Sequence, residues 1–325
     1  MNNIVKVDPH APERRTIGRA AEILRAGGLV AFPTETVYGL GALALNPRAV
    51  RKIFTAKDRP DWDPLIVHVR DLPMAHALMK RLLPQFELLV SRFWPGPLTL
   101  VVEKAAQVPD EVTARRATVA LRMSWHPVAA ALLEAAESPI AAPSANRFGR
   151  PSPTRAEHVA EDLGDRVDLI LDAGPTPMGV ESTVLDLTQS PPAILRPGGV
   201  TREQLENVLG AVQLATGVAD EVARAGLAGP GMTLKHYAPR AQVELFEKME
   251  ELHARADTLR HEGKRVGLLD TASTIERLAQ TVYAQLRDLD TQGMDVILCR
   301  LPAPQGLGLA VRDRLLRAAG KGTPT

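Results

Sequence analysis

A single cysteine in 325 residues removes two kinds of protein from consideration. Cys299 has no partner for an internal disulfide, and one thiol cannot build a zinc site. It lies in the apolar run Val296-Ile-Leu-Cys299 and reads as a buried structural thiol. Net charge is nearly absent too. The 39 Lys and Arg stand against 38 Asp and Glu, for a formal +1, so no global basic field draws the chain to nucleic acid or to an anionic membrane. No apolar run approaches the ~20 residues that cross a bilayer. The opening Met1-Asn-Asn-Ile-Val-Lys-Val-Asp8 has neither the hydrophobic stretch nor the cleavage motif of a signal peptide. The expectation is a soluble cytoplasmic protein with no membrane partner. Walker A, G-x-S-x-G and H-E-x-x-H sequences are all missing, so a nucleotide, if one is used, is held outside the familiar cradles.

What is present is ordinary globular composition, 45% apolar and 24% charged, over a length comfortable for two domains. Glu13 to Ala26 predicts a helix, with Ile17, Ala20, Ala21 and Leu24 on one face and Gly27-Gly28 ending it. Asn46-Pro47 predicts an N-cap and a first-turn proline. Residues 29–32, 64–69, 98–102, 118–121, 167–171 and 183–187 read as strands. Thr154-Arg-Ala-Glu157 and Thr201-Arg-Glu-Gln204 read as capping boxes, closed by Gly164 and Gly210. Several connections are too short for a helical crossover, which predicts a mixed α/β sheet over residues 1–210. Small residues, glycine and proline then mark 211–240 as a linker. Strand–helix alternation over 241–325 predicts a smaller α/β domain with a parallel sheet.

The most informative segments are two strand-end motifs, Pro33-Thr-Glu-Thr-Val-Tyr-Gly-Leu-Gly41 and Pro143-Ser-Ala-Asn-Arg-Phe-Gly-Arg-Pro-Ser-Pro-Thr154. Each places hydroxyls and turn residues just beyond an apolar strand. Gly39-Leu-Gly-Ala-Leu-Ala44 satisfies the dinucleotide fingerprint in letters only. Its glycines would have to open a helix, and the helix starts later, at Asn46-Pro47. Lys57 and Arg59 lie in a loop stiffened by Pro60 and Pro64, a setting in which a basic pair is ordinarily solvated. Alternation along 118–122 sends Thr118, Ala120 and Arg122 to one face, and an arginine at a strand mouth suits bidentate recognition of carboxylate or phosphate. Arg196 ends another apolar run in the same way. Three arginines and Lys57 held together would call for an anion. A lone strand histidine such as His68 is more often a satisfied half-buried residue than a catalyst. The hydroxyls of Thr34, Thr36, Ser144, Ser152 and Ser182 serve equally well as turn and cap groups, although the flanking prolines would orient them in advance.

Taken together, Pro33–Gly41, Lys57-x-Arg59-Pro with Pro64-Leu-Ile-x-His68, Trp94-Pro-Gly-Pro-x-Thr99, Pro143-Ser-Ala-Asn146 and Glu181-Ser-Thr183 resemble the YrdC-like family. Pro230-Gly-Met-x-x-x-His236-Tyr-Ala-Pro239, with Gly308-Leu-Ala-Val-Arg-Asp-Arg-Leu315 further on, is similar to the long form of that family, the two-domain threonylcarbamoyl-AMP synthases. The resemblance implies a twisted mixed sheet with flanking helices, followed by a smaller Rossmann-like domain. It also implies a nucleotidyltransferase that joins L-threonine, bicarbonate or CO2, and ATP into threonylcarbamoyl-AMP and pyrophosphate. That product serves N6-threonylcarbamoyladenosine formation at position 37 of tRNA, with hand-off to the transferase machinery and at most weak contact with tRNA itself.

By the same resemblance, Lys57 and Arg59 act on phosphate. Threonine contacts fall on Thr36, His68, Arg122, Ala142 and Ser182, and ATP contacts on Arg59, Asp63, Thr118, Ser144, Ser152, Arg196 and Tyr237. Mg²⁺ is expected only with the substrate ATP. Arg122 would clamp the amino-acid carboxylate, and the 211–240 segment would close over the site with Tyr237. The family commonly has Asn where this chain has Asp63. An acid there would either repel phosphate or help hold Mg²⁺. A non-catalytic RNA-binding module is the competing reading. The carbamoyl-transfer part of a hydrogenase-maturation protein is excluded by the missing cysteine-rich zinc motifs.

Overall fold

The computed structural model describes residues 3–215, 237–271 and 273–320. Most of the expected linker, including His236, lies outside them. Local chemistry sets many of the element boundaries. Helix Arg14–Arg25 buries Ile17, Ala20, Ala21 and Leu24 and gives way at Gly27, whose φ of 78° costs glycine no Cβ clash. Asn46 caps helix Pro47–Lys57 by accepting from the backbone N–H groups of Arg48 and Ala49. Thr201 and Gln204 form the reciprocal capping box of helix Arg202–Leu209. The box expected at Thr154 does not form. Helix Ala156–Leu163 begins after Arg155, with no side-chain cap bond, and the Thr154 N–H donates to Nδ1 of His158 instead.

The large sheet contains β1 (Ile4–Lys6), β2 (Val30–Pro33), β3 (Tyr38–Leu43), β4 (Ile66–His68), β5 (Leu98–Glu103), β6 (Thr118–Arg122), β7 (Ile140–Ala141), β8 (Leu169–Asp172), β9 (Thr183–Asp186), β10 (Ala193–Arg196) and β11 (Gln213–Leu214). Their order is β1-β8-β2-β3-β7-β4-β6-β5-β9-β10-β11, and the pairings are mixed. Short hairpin-like links such as β2–β3 give antiparallel neighbours, whereas β4 reaches β6 in parallel. Residues 213–214, read as linker from composition, instead extend this sheet beside β10. Gly39 and Gly41 belong to β3. A Cβ at Gly41 would come within 2.8 Å of the Phe32 ring and 2.9 Å of Ile140, so glycine there allows close packing and makes no phosphate cradle.

One apolar core covers the sheet face under helices Pro47–Lys57, Pro84–Phe93 and Ala156–Leu163. A second lies under Arg14–Arg25 and Pro127–Ala136. The smaller unit is a parallel sheet ordered β12-β14-β13, with β12 Gln242–Phe246, β13 Val266–Leu268 and β14 Val296–Arg300. Helices Met249–His261, Ile275–Thr291 and Leu307–Ala318 pack against it. Its core holds Cys299, whose thiol burial pushes up to about 12. That same core takes in Val37 and Val180 from the larger unit.

The two units are joined by more than apolar contact. Arg287 donates to the Pro151 carbonyl at 2.5 Å and to Asp162 at 2.6 Å. Arg150 pairs with Asp290 at 3.1 Å. A Cβ on Gly179 would sit 2.4 Å from the carbonyls of Ala279 and Gln280, so helix Ile275–Thr291 lies directly on that backbone. Among the described residues no helix is long and apolar enough to cross a membrane.

Candidate active site

Sheet register gathers the site. β4 lies between β6 and β7, which pairs His68 with Arg122 on one side and with Ile140 on the other. The β2–β3 turn, the segment after β7, the segment before β9 and the end of β10 close around this point. The cleft they form is lined by Thr34, Val37, Gly39, Arg59, Ile66, His68, Arg122, Ala142, Pro143, Ser144, Glu181, Arg196 and Tyr237.

Arg122 is nearly buried, yet only part of its guanidinium is engaged. Its Nη2 donates to Glu35 Oε1 at 2.7 Å and to Thr36 Oγ1 at 2.8 Å. Its Nε is buried with no partner. Glu35, itself buried, also accepts from Ser124. Beside this pair, burial and then the Arg122 charge hold the His68 imidazole well below its ordinary value. His68 is therefore neutral, and its buried Nδ1 has no partner. A cation edge and a neutral imidazole, both short of partners, suit a small ligand with a carboxylate and further polar groups.

The basic segment is arranged differently: Lys57, expected in a solvated loop, is buried as the last residue of its helix, and Arg59 follows just beyond it. Arg59 donates to the carbonyls of Asp63 and Pro64 at 3.3 and 3.1 Å and pairs with the Asp63 carboxylate at 2.8 Å. Its guanidinium also lies 5.9 Å from the Phe148 ring centroid. Burial lowers Arg59 from its ordinary value, against the opposing effect of Asp63. Lys57 is buried, and its ammonium donates to the carbonyls of Ser144, at 2.5 Å, and Asn146. Burial, then the neighbouring Arg59, holds it well below the usual lysine range. In this arrangement Lys57 supports the loop that presents Ser144. It is not among the residues lining the cleft.

On the opposite wall, Arg196 donates through Nε and Nη2 to the Ser182 carbonyl at 3.2 and 3.0 Å, and Ser182 Oγ shares a 2.8 Å bond with Thr99. Glu181 accepts from Ser152 Oγ at 2.5 Å, from the Tyr283 hydroxyl and from Arg314 Nε at 2.7 Å. Burial alone would raise the Glu181 carboxyl, but Arg314, Arg196 and the donated bonds together hold it below its ordinary value. Tyr237 is 1% exposed. Burial and the nearby Glu181 charge raise its phenol.

Residues 22–198 match the Sua5–YciO–YrdC family, described as telomere recombination, and residues 200–320 match the threonylcarbamoyl-AMP synthase C-terminal domain family. The chain is 46% identical over 320 residues to a threonylcarbamoyl-AMP synthase of Pyrococcus abyssi, covering 93% of each. It is 43% identical over 323 residues to the protein of that name from Bacillus subtilis, covering 94% of this chain and 93% of that one. The chain belongs to the threonylcarbamoyl-AMP synthase family. Its fold agrees: the crystal structure of P. abyssi Sua5 complexed with L-threonine aligns at a TM-score of 0.91 and 43% identity, over 98% of this chain and 97% of that one.

Of the residues that the family resemblance assigned to the site, Arg59, His68, Arg122, Ala142, Ser144, Arg196 and Tyr237 line the cleft. Thr36, Ser182, Ser152 and Asp63 stand one bond behind it, on Arg122, Arg196, Glu181 and Arg59 respectively. Thr118 begins β6, roughly 13 Å of strand rise from Arg122, and does not line the cleft. Sequence reasoning assigned no role to Glu35, Thr99, Glu181, Tyr283 or Arg314. Glu35, Thr99, Glu181 and Arg314 did stand inside the family motifs. Nothing local to Tyr283 points to a site more than a hundred residues away.

Proposed function

We propose that this chain, as a member of its synthase family, joins L-threonine, bicarbonate or CO2, and ATP into threonylcarbamoyl-AMP and pyrophosphate. The observation that carries the reading is the half-engaged Arg122 beside the neutral, unpartnered His68 in a cleft whose other wall is cationic. Arg122 takes the threonine carboxylate through the guanidinium nitrogens that Glu35 and Thr36 leave unused. Neutral His68 and Thr34, whose hydroxyl lies 2.8 Å from that of Thr36, face the rest of the amino acid. Arg59, Arg196 and Ser144 take the triphosphate.

The amine of threonine adds to the carbon of CO2, losing a proton to give a carbamate. A carbamate oxygen then attacks the α-phosphorus, forming one P–O bond while the bond to the bridging oxygen breaks and pyrophosphate leaves. No protein nucleophile is needed, and catalysis is positioning plus electrostatic stabilisation of the phosphates. Mg²⁺ enters as the companion of substrate ATP. Asp63, the acid considered for it, is already paired with Arg59. Tyr237 covers the cleft and limits the access of water to the mixed anhydride.

The test is pyrophosphate release from Mg-ATP, with L-threonine and bicarbonate omitted in turn and the product identified by mass. Release that requires both is the expected result. Release that requires neither, or no release together with salt-sensitive tRNA binding, would replace this reading.

A further inference from the structure

The largest fully buried side chain among the described residues is Arg314, and it belongs to the second unit. Three nitrogens of this one guanidinium reach three groups. Nε donates to Glu181 Oε2 at 2.7 Å, Nη1 to Asp313 at 2.6 Å and Nη2 to the Pro197 carbonyl at 2.9 Å. Its carbon lies 5.2 Å from the Tyr237 ring centroid. Glu181 lines the cleft and immediately precedes Ser182, whereas Pro197 immediately follows Arg196. These two segments are packed so closely that a Cβ on Gly198 would stand 2.3 Å from the Ser182 backbone. A single side chain from the second unit thus clamps the two segments that carry Ser182 and Arg196. It also faces the Tyr237 ring, which lines the cleft.

We propose that Arg314 is a positioning residue for the triphosphate side of the cleft, keeping Arg196 available to substrate by neutralising Glu181. The charge arrangement leads there. Glu181 has two arginines near enough to lower its carboxyl, Arg314 first and Arg196 second. With Arg314 bonded to it, Glu181 need not compete for Arg196. Without Arg314 the buried carboxylate keeps only its neutral donors, Ser152 and Tyr283, and Arg196 is the cation next to hand. Arg196 turned toward Glu181 is lost to an incoming phosphate. Asp313 does not make the same demand, because Arg317 pairs with it at 3.1 Å.

The inference rests on the proposed function for the identity of the anion, and the experiment separates the two. Wild type, Arg314→Met, Glu181→Gln and Arg314→Met/Glu181→Gln are assayed for pyrophosphate release, with KM for ATP and for threonine determined separately. Each folded fraction is checked by thermal unfolding, and ATP binding is titrated calorimetrically without threonine. Arg314→Met is expected to raise KM and Kd for ATP about 30-fold, the scale of a buried charge left without its partner, with little change in KM for threonine. Adding Glu181→Gln removes the competing charge and returns most of the ATP affinity. If Arg314→Met only lowers kcat in proportion to the folded fraction, or if the double variant binds ATP no better than the single, Arg314 is a structural tie and the proposal fails. Wild type that binds ATP yet forms no threonylcarbamoyl-AMP would overturn the proposed function while leaving the ATP titrations to judge Arg314.

Discussion

Arg122 and Glu35 form a buried ion pair at 2.7 Å that engages Nη2 of the arginine and leaves Nε without a partner. The carboxylate and the Thr36 hydroxyl fix the guanidinium through Nη2 and leave Nη1 and Nε outside these bonds. Lysine carries the same charge but has no fork. Arg122→Lys should therefore raise KM for threonine between about 10- and 100-fold, the loss of one or two charge-assisted hydrogen bonds. KM for ATP should move little. Steady-state kinetics with each substrate varied in turn would show it, and an equal rise in both constants would mean that Arg122 does not discriminate between them.

Lys57 separates a structural role from phosphate contact. Its ammonium satisfies the Ser144 and Asn146 carbonyls, so Lys57→Met takes this donor from one buried and one half-buried acceptor. A stability loss of about 3 kcal/mol is expected, together with a raised KM for ATP as the Ser144 loop loosens. Denaturant unfolding measures the first effect and pyrophosphate release the second. Unchanged stability with abolished activity would instead place the ammonium on the substrate.

Asp63 lies against Arg59 at 2.8 Å with no solvent access to its side chain. Asp63→Asn should release the arginine's charge to the phosphates and lower KM for ATP on the order of fivefold, the equivalent of about 1 kcal/mol. It should also destabilise the protein without ATP, because the buried cation then lacks its counter-charge. Thermal shifts with and without ATP test both effects. A higher KM would show that the acid itself serves the ligand.

His158 supplies a pH dependence. Burial, then the charges of Arg287 and Arg155, lower its imidazole to about 3, and its Nδ1 accepts from the Thr154 N–H. The folded protein keeps it neutral, whereas the unfolded chain protonates it below about 6.5. Its contribution to stability is complete above that pH and is lost as the pH falls toward 3, at about 1.4 kcal/mol per pH unit. A glutamine in its place would still offer an acceptor but would not titrate, so His158→Gln should flatten the slope by that amount. Urea unfolding at stepped pH is the measurement, and parallel slopes would refute the assignment.

Much of this protein is determined by short-range chemistry that a sequence displays. The Asn46 cap, the Thr201–Gln204 box, the glycine stops and the short apolar strands follow from backbone hydrogen bonding and hydrophobic patterning within a few residues. The motifs around Thr36, Arg59, His68, Arg122, Ser144 and Arg196 were legible for the same reason, since each lies at a predicted strand end or turn. Only the tertiary structure decided which of those groups are committed to one another. Lys57 reaches the Ser144 loop, Glu35 takes one side of Arg122, and Arg314 and Tyr283 arrive under Glu181 from another domain. Charges buried together must find partners regardless of their distance along the chain, and no local pattern records which partner each one finds.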